Sequence, residues 1–151
     1  MRIYESSTSS LWLFLAIAFA LSWAGCSEPR VESIRFGLAN APANLDPRFA
    51  TDATSDRINR LLYEQLVDFN DAFEPIPSIA SWEQIRSEHF RFHLNPNRSS
   101  FHDGTPLTAR DVKATYDFIL DAKNASPHRS TLNMIDSITI KNSEILDFHL
   151  N

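Results

Sequence analysis

Apolar residues along this chain change their period several times, and each change marks an element. Ile34, Phe36 and Leu38 alternate with polar or small residues, which predicts a half-buried strand. Thr51 to Asp56 is polar and rich in capping residues, so a helix is expected to start near Thr54 or Ser55. Ile58, Leu61, Leu62 and Leu66 then form an apolar stripe at helical spacing. Val67 and Phe69 return to strand spacing, and Asn70-Asp71 turns the chain. Pro75 and Pro77 forbid a helix interior and predict an extended, edge-lying segment running on to Glu83. After a turn at Ser87-Glu88, Phe90, Phe92 and Leu94 alternate with His89, Arg91 and His93, a strand with one buried and one wet face. Trp82 is expected to be an apolar anchor beside Phe90 and Phe92.

The second half repeats the logic. Val112, Tyr116, Ile119 and Leu120 share one face of a second helix, and Asn124-Ala125-Ser126-Pro127 stops it. Leu132, Met134 and Ile135 fall in a linking segment. Ile138 and Ile140 alternate in one strand, Leu146, Phe148 and Leu150 in the next, with Asn142-Ser143-Glu144 as the hairpin loop. Strands thus predominate over two helices, a mixed α/β (α+β) arrangement.

Residues Phe101 to Val112 read FHDGTPLTARDV, and most positions have a local physical role. Asp103-Gly104 is a tight-turn pair, since Asp bonds its own backbone and Gly accepts positive φ at little cost. Thr105 precedes Pro106 and is pushed out of the helical region. Thr108 is an expected N-cap with Asp111 three residues on, an acidic capping box whose cap contributes about 0.5–2 kcal/mol. These roles describe a strand-turn-helix connector and involve no catalysis.

Leu11 to Leu21 is apolar throughout, and Arg2 supplies a weak positive charge ahead of it. A spanning helix needs about 20 apolar residues, so this run predicts a secretory leader rather than a membrane span. Ser22-Trp23-Ala24-Gly25-Cys26 places small residues before a lone cysteine and resembles a bacterial lipobox, in which that cysteine is acylated. Trp23 stands where an aliphatic residue is usual. The organisation expected is a lipoprotein-type signal peptide over 1–25, a polar tether over 26–30 and a folded unit over 31–151. Acyl chains on Cys26 would anchor the protein to a membrane at about 0.8 kcal/mol per buried CH₂.

Composition narrows the chemistry. With 14 Lys and Arg against 19 Asp and Glu, the 151-residue chain has a net charge of -5, which gives no support to a nucleic-acid partner. One cysteine excludes an internal disulfide and any multi-cysteine zinc site. Glycines at 25, 37 and 104 alone exclude a Gly-rich phosphate loop. No serine has nucleophile-elbow spacing, and no carboxylate pair stands out as acid and base, so no enzyme activity is expected. Among the five histidines, His89 and His93 share a strand face but lie too far apart for one ion, so no metal site and no cofactor is expected.

Four runs occur in an order that resembles the family 5 extracellular solute-binding proteins, the dipeptide- and oligopeptide-binding receptors of ABC importers. They are Leu45-Asp46-Pro47, Tyr63-Glu64-Gln65-Leu66, the Pro75 to Glu83 segment with Ser81-Trp82-Glu83, and Phe101 to Val112. Gln65 stands where that family has Gly, and the family's Asp-Gly turn before the Phe90 strand is missing, so a shorter or different hairpin is expected there. The resemblance runs from about Glu32 to Leu150. It implies a partial type II periplasmic-binding-protein lobe with a small N-terminal subdomain, the remainder of a longer receptor lying beyond it. It further implies a substrate-binding lipoprotein in the periplasm or cell envelope. Its partners would be a peptide or other small solute, ABC permease subunits and, through Cys26, a membrane. Related receptors take dipeptides, longer peptides, nickel chelates or haem, and the sequence does not choose among them. Carried onto this chain, the family's ligand loop is Thr51-Asp52-Ala53-Thr54. An extended peptide would pair with its backbone and Asp52 would meet a cationic amine, while the same residues equally suit a plain helix start. The other class compatible with the residues is a membrane-tethered interaction lipoprotein that has lost transport.

Overall fold

The computed structural model describes residue 33 and residues 35–151. The expected leader, the tether with Cys26, and Ile34 lie outside the described residues. Residues 35–38 carry no strand, and Phe36 is largely exposed, so the alternation there does not produce a sheet edge among the described residues.

From Leu38 onward the chain forms one compact unit. Helix α1 spans Ala53–Leu62, followed by β1 (Val67–Phe69), β2 (Pro75–Pro77), β3 (Ala80–Arg86) and β4 (His89–Leu94). Helix α2 spans Ala109–Leu120 and leads through a short 3₁₀ turn, Ala122–Asn124, to β5 (Ile135–Ile140) and β6 (Ile145–Leu150). Strands β1 and β2 pair alone as an antiparallel ribbon. The other four make an antiparallel sheet in the order β3-β4-β6-β5.

Register follows from burial. Ala80 faces Leu94, Trp82 faces Phe92, Phe92 faces Leu146, and Ile138 faces Phe148. One residue of slip would turn this whole set toward water. The apolar face takes α2, whose Val112 and Ile119 are buried and whose Tyr116 ring meets Phe148 edge-on at 5.0 Å. Ala80, Leu94, Ala109, Val112, Ile138, Leu146 and Phe148 form the core. Trp82 sits directly opposite Phe92, as expected for an anchor. The Ser87-Glu88 turn is a short one, with a bulge between Gln84 and Arg86 where the sequence lacks an Asp-Gly pair. Ile135, expected in a linker, begins β5, while Met134 before it is half exposed.

Helix α1 departs from expectation. Its stripe is only partly covered: Leu61 is 68% exposed and Leu62 47%, while Ile58 is half-buried and Leu66, just past the helix, packs against the core. The buried residues are Ser55 and Asn59. A polar contact decides the orientation, because the Asn44 amide donates to Ser55 Oγ at 3.0 Å and draws that side of the helix against the preceding loop.

The Phe101 to Val112 corner forms as its residues dictate. Gly104 adopts φ 85°, and the Asp103 carboxylate accepts from the Thr105 amide at 2.9 Å and its hydroxyl at 2.7 Å. Asp111 accepts from the Thr108 amide at 2.8 Å and hydroxyl at 2.7 Å, closing the start of α2. The Ala109 amide donates to the Ser143 carbonyl at 2.8 Å, and Arg98 Nε donates to the Leu107 carbonyl at 2.8 Å. The corner therefore fastens α2 to the β5–β6 loop, a positioning role.

Candidate functional site

The loop from Asn44 to Asp52 enters α1 and is built from side chain to backbone contacts. Asn44 Oδ1 accepts from the Asp46 amide at 2.9 Å, an Asx turn that redirects the chain. Asp46 and Arg48 then form a fork, with Nε to Oδ1 at 2.9 Å and Nη2 to Oδ2 at 2.6 Å. That guanidinium holds the Asp46 carboxyl below the usual carboxylate range. It also lies 4.0 Å over the Phe118 ring of α2, and Phe49 meets the same ring edge-on at 5.8 Å.

A second set of contacts ties the loop to the segment after α2. Ser126 Oγ donates to the Arg48 carbonyl at 2.7 Å, and His128 Nε2 lies 2.8 Å from the Ala50 carbonyl. Sequence reading missed Arg48, Ser126 and His128. The helix-stop signal at Asn124 to Pro127 marked the right region but not its partner, which lies 78 positions earlier.

Thr51 to Thr54 is the part of this loop that the family resemblance singles out. Asp52 is the N-cap of α1: Oδ1 accepts from the Thr54 amide at 3.1 Å and the Ser55 amide at 2.9 Å, and Oδ2 accepts from the Ser55 hydroxyl. The Ser55 hydroxyl and amide draw the Asp52 pKa down. Thr51 and Ala53 are exposed, Asp52 and Thr54 half-buried. Among the described residues the Thr51 backbone has no hydrogen bond. The arrangement is a loop seated by side-chain contacts, with the exposed Thr51 next to the capping Asp52 carboxylate.

The polar face of the sheet gathers a different group. Asp147 is fully buried and is flanked by Arg91, His89 and Lys141. The bidentate Arg91 guanidinium, opposing the cost of burial, drives the Asp147 carboxyl far below its ordinary range. His93 pairs with Glu83 at 3.2 Å. The fold instead sets His89 opposite His149.

Among the described residues no helix is long and apolar enough to cross a membrane. A four-stranded antiparallel sheet with one helix on its apolar face and a seated loop leading into the first helix defines a partial lobe of a type II periplasmic binding protein. The model of "Bacterial extracellular solute-binding proteins, family 5 Middle" matches residues 74–151, just over half of the chain. The chain belongs to the family 5 extracellular solute-binding proteins.

It is 33% identical over 91 residues to the periplasmic murein peptide-binding protein MppA of Escherichia coli K12, covering 60% of this chain and 17% of that protein. It is 32% identical over 90 residues to the periplasmic oligopeptide-binding protein OppA of Salmonella typhimurium, covering 59% of this chain and 16% of that protein. The solved structure of the Escherichia coli murein tripeptide binding protein MppA overlays with a TM-score of 0.67 at 27% identity, over 73% of this chain and 25% of that one. The matched stretch is about a sixth of the length of these curated relatives.

Proposed function

We propose that this chain is the N-terminal part of the solute-binding component of a peptide-class ABC importer. Residues 1–25 would direct export, residues 26–30 would tether the protein through an acylated Cys26, and residues 31–151 would begin the binding domain. The observation that carries the reading is the order of Leu45-Asp46-Pro47, Tyr63-Glu64, Ser81-Trp82 and Phe101 to Val112 in a fold that overlays on a murein tripeptide binding protein. Both curated relatives named above are peptide-binding proteins of the periplasm, and peptide is the ligand class taken for this chain.

In this reading Thr51 to Thr54 meets the solute. A bound peptide adds to the exposed Thr51 backbone as a strand, and Asp52 supplies charge toward an amino group while capping α1. The intact receptor captures its cargo by closing a second lobe over it and hands it to permease subunits. Binding rather than catalysis is the work of the site.

The test is labelling in intact cells with photoreactive tripeptides and pentapeptides, followed by mapping of the labelled residues. Cross-links on residues 51–54 and label incorporation from a fatty-acid precursor, lost in Cys26→Ser, are expected. An envelope-located chain that acquires no cross-link above an unreactive competitor's background overturns the reading.

A further inference from the structure

We propose that His89, Asp147 and His149 form a zinc-class metal site on the polar face of the sheet, separate from the loop at residues 51–54. The register sets the triangle. His89 and His149 are direct cross-strand partners on β4 and β6, and Asp147 lies two residues before His149, on the same face. One ligand atom from each lies within 4.8 Å of the others. Three protein ligands of imidazole and carboxylate type, with a fourth position left open, are the donor set of zinc and its neighbours.

Two details favour an ion over a simple hydrogen-bond cluster. His89 Nε2 is buried and lies 3.0 Å from Asp147 Oδ2, but out of line for a well-formed hydrogen bond. A buried nitrogen held at such an angle recovers only part of the hydration it loses, and a metal bond would supply the rest. Arg91 grips the same carboxylate at 2.7 and 3.0 Å, the outer support that fixes a ligating oxygen in place.

The remaining geometry sets the cost. Ligand atoms around a tetrahedral ion with bonds of about 2.0–2.2 Å sit closer together than this triangle, so the imidazoles must turn inward. The rings now lie 4.6 Å apart at 30°, and His149 Nε2 is engaged by Thr139 Oγ1 at 3.2 Å. Turning His149 breaks that one contact. Lys141 Nζ stands 3.5 Å from Asp147 Oδ2 and competes with a cation for it. Lys141 therefore weakens binding, and removing its charge strengthens it.

Zinc and cobalt titrations of the full chain in a Cys26→Ser background test the site. One ion should bind saturably per chain, and Co²⁺ should give the visible absorption of a four-coordinate complex. His149→Ala and His89→Ala should each weaken binding about tenfold or more, Lys141→Ala should tighten it several-fold, and His93→Ala should leave it unchanged. Thermal melts of each variant, without metal, separate lost ligation from lost folding. Absence of saturable 1:1 binding, or equal losses in His93→Ala and His149→Ala, overturns the site.

Discussion

Arg91 and Asp147 face each other across β4 and β6, and the carboxylate between them is fully buried while the guanidinium stays 30% exposed. The pair is thus half in water, which lowers the cost of keeping it. Asp147→Ala leaves Arg91 beside Lys141 with only the exposed Glu83 across β3 as countercharge, and it should destabilise the fold by about 2–3 kcal/mol, below the range for fully buried pairs. Arg91→Met should cost less than leaving a buried carboxylate unpaired would suggest, because His89 and Lys141 remain beside it. Urea unfolding of the two variants measures both; a neutral Asp147→Ala would contradict the account.

Acid should loosen the loop at residues 44–52 before the sheet. Asp46 and Asp52 both have folded pKa values held below their unfolded value, by Arg48 and by the Ser55 donors. Their contribution is complete above the unfolded value of about 3.9 and is lost as pH falls through the folded values. Stability should therefore be flat from pH 6 to about 5 and decline below about 4. Asp46→Asn should flatten part of that decline in a pH series of urea midpoints. An unchanged profile in the variant would refute the assignment.

Backbone conformation gives a pair of opposite effects. Gly104 sits at φ 85°, and Gly104→Ala should destabilise by about 1–2 kcal/mol although nothing would touch the new Cβ. Phe73 sits at φ 59° at the tip of the β1–β2 ribbon and is 86% exposed. Phe73→Gly should gain about 0.5 kcal/mol, the relieved strain being offset in part by glycine's freedom in the unfolded chain. Thermal melts of both variants give the signs directly.

Two leucines separate core from surface. Leu146 is fully buried between β4 and β5, and Leu146→Ala should cost about 3 kcal/mol. Leu61 belongs to the apolar stripe of α1 but is 68% exposed, and Leu61→Ala should change stability by less than about 0.5 kcal/mol. A large loss at Leu61 in this chain would mean that the α1 stripe is covered after all.

Local patterns were enough for most elements. Alternation at Phe90, Phe92 and Leu94 and at Leu146, Phe148 and Leu150 specified the strands and the side that packs against α2, because a side-chain period of two leaves one choice once one face is apolar; the other side, expected to be wet, is itself partly covered and buries Asp147. The Asp103-Gly104 turn and the Thr108–Asp111 box needed only neighbours within three residues. The candidate loop at Thr51 to Thr54 was legible as a position, through the family resemblance, and its Asp52 cap through residue type.

Local sequence set where most strands, helices and turns begin, residues 35–38 and the start of β5 at Ile135 excepted, since those depend on residues close in the chain. Packing between distant segments set which face of α1 is buried, that Ser126 and His128 hold the loop at Arg48 and Ala50, and that His89 meets His149 rather than His93. Those outcomes depend on partners up to 78 positions apart. Contacts of that reach close long loops and depend on the whole fold, so no local period in the chain encodes them.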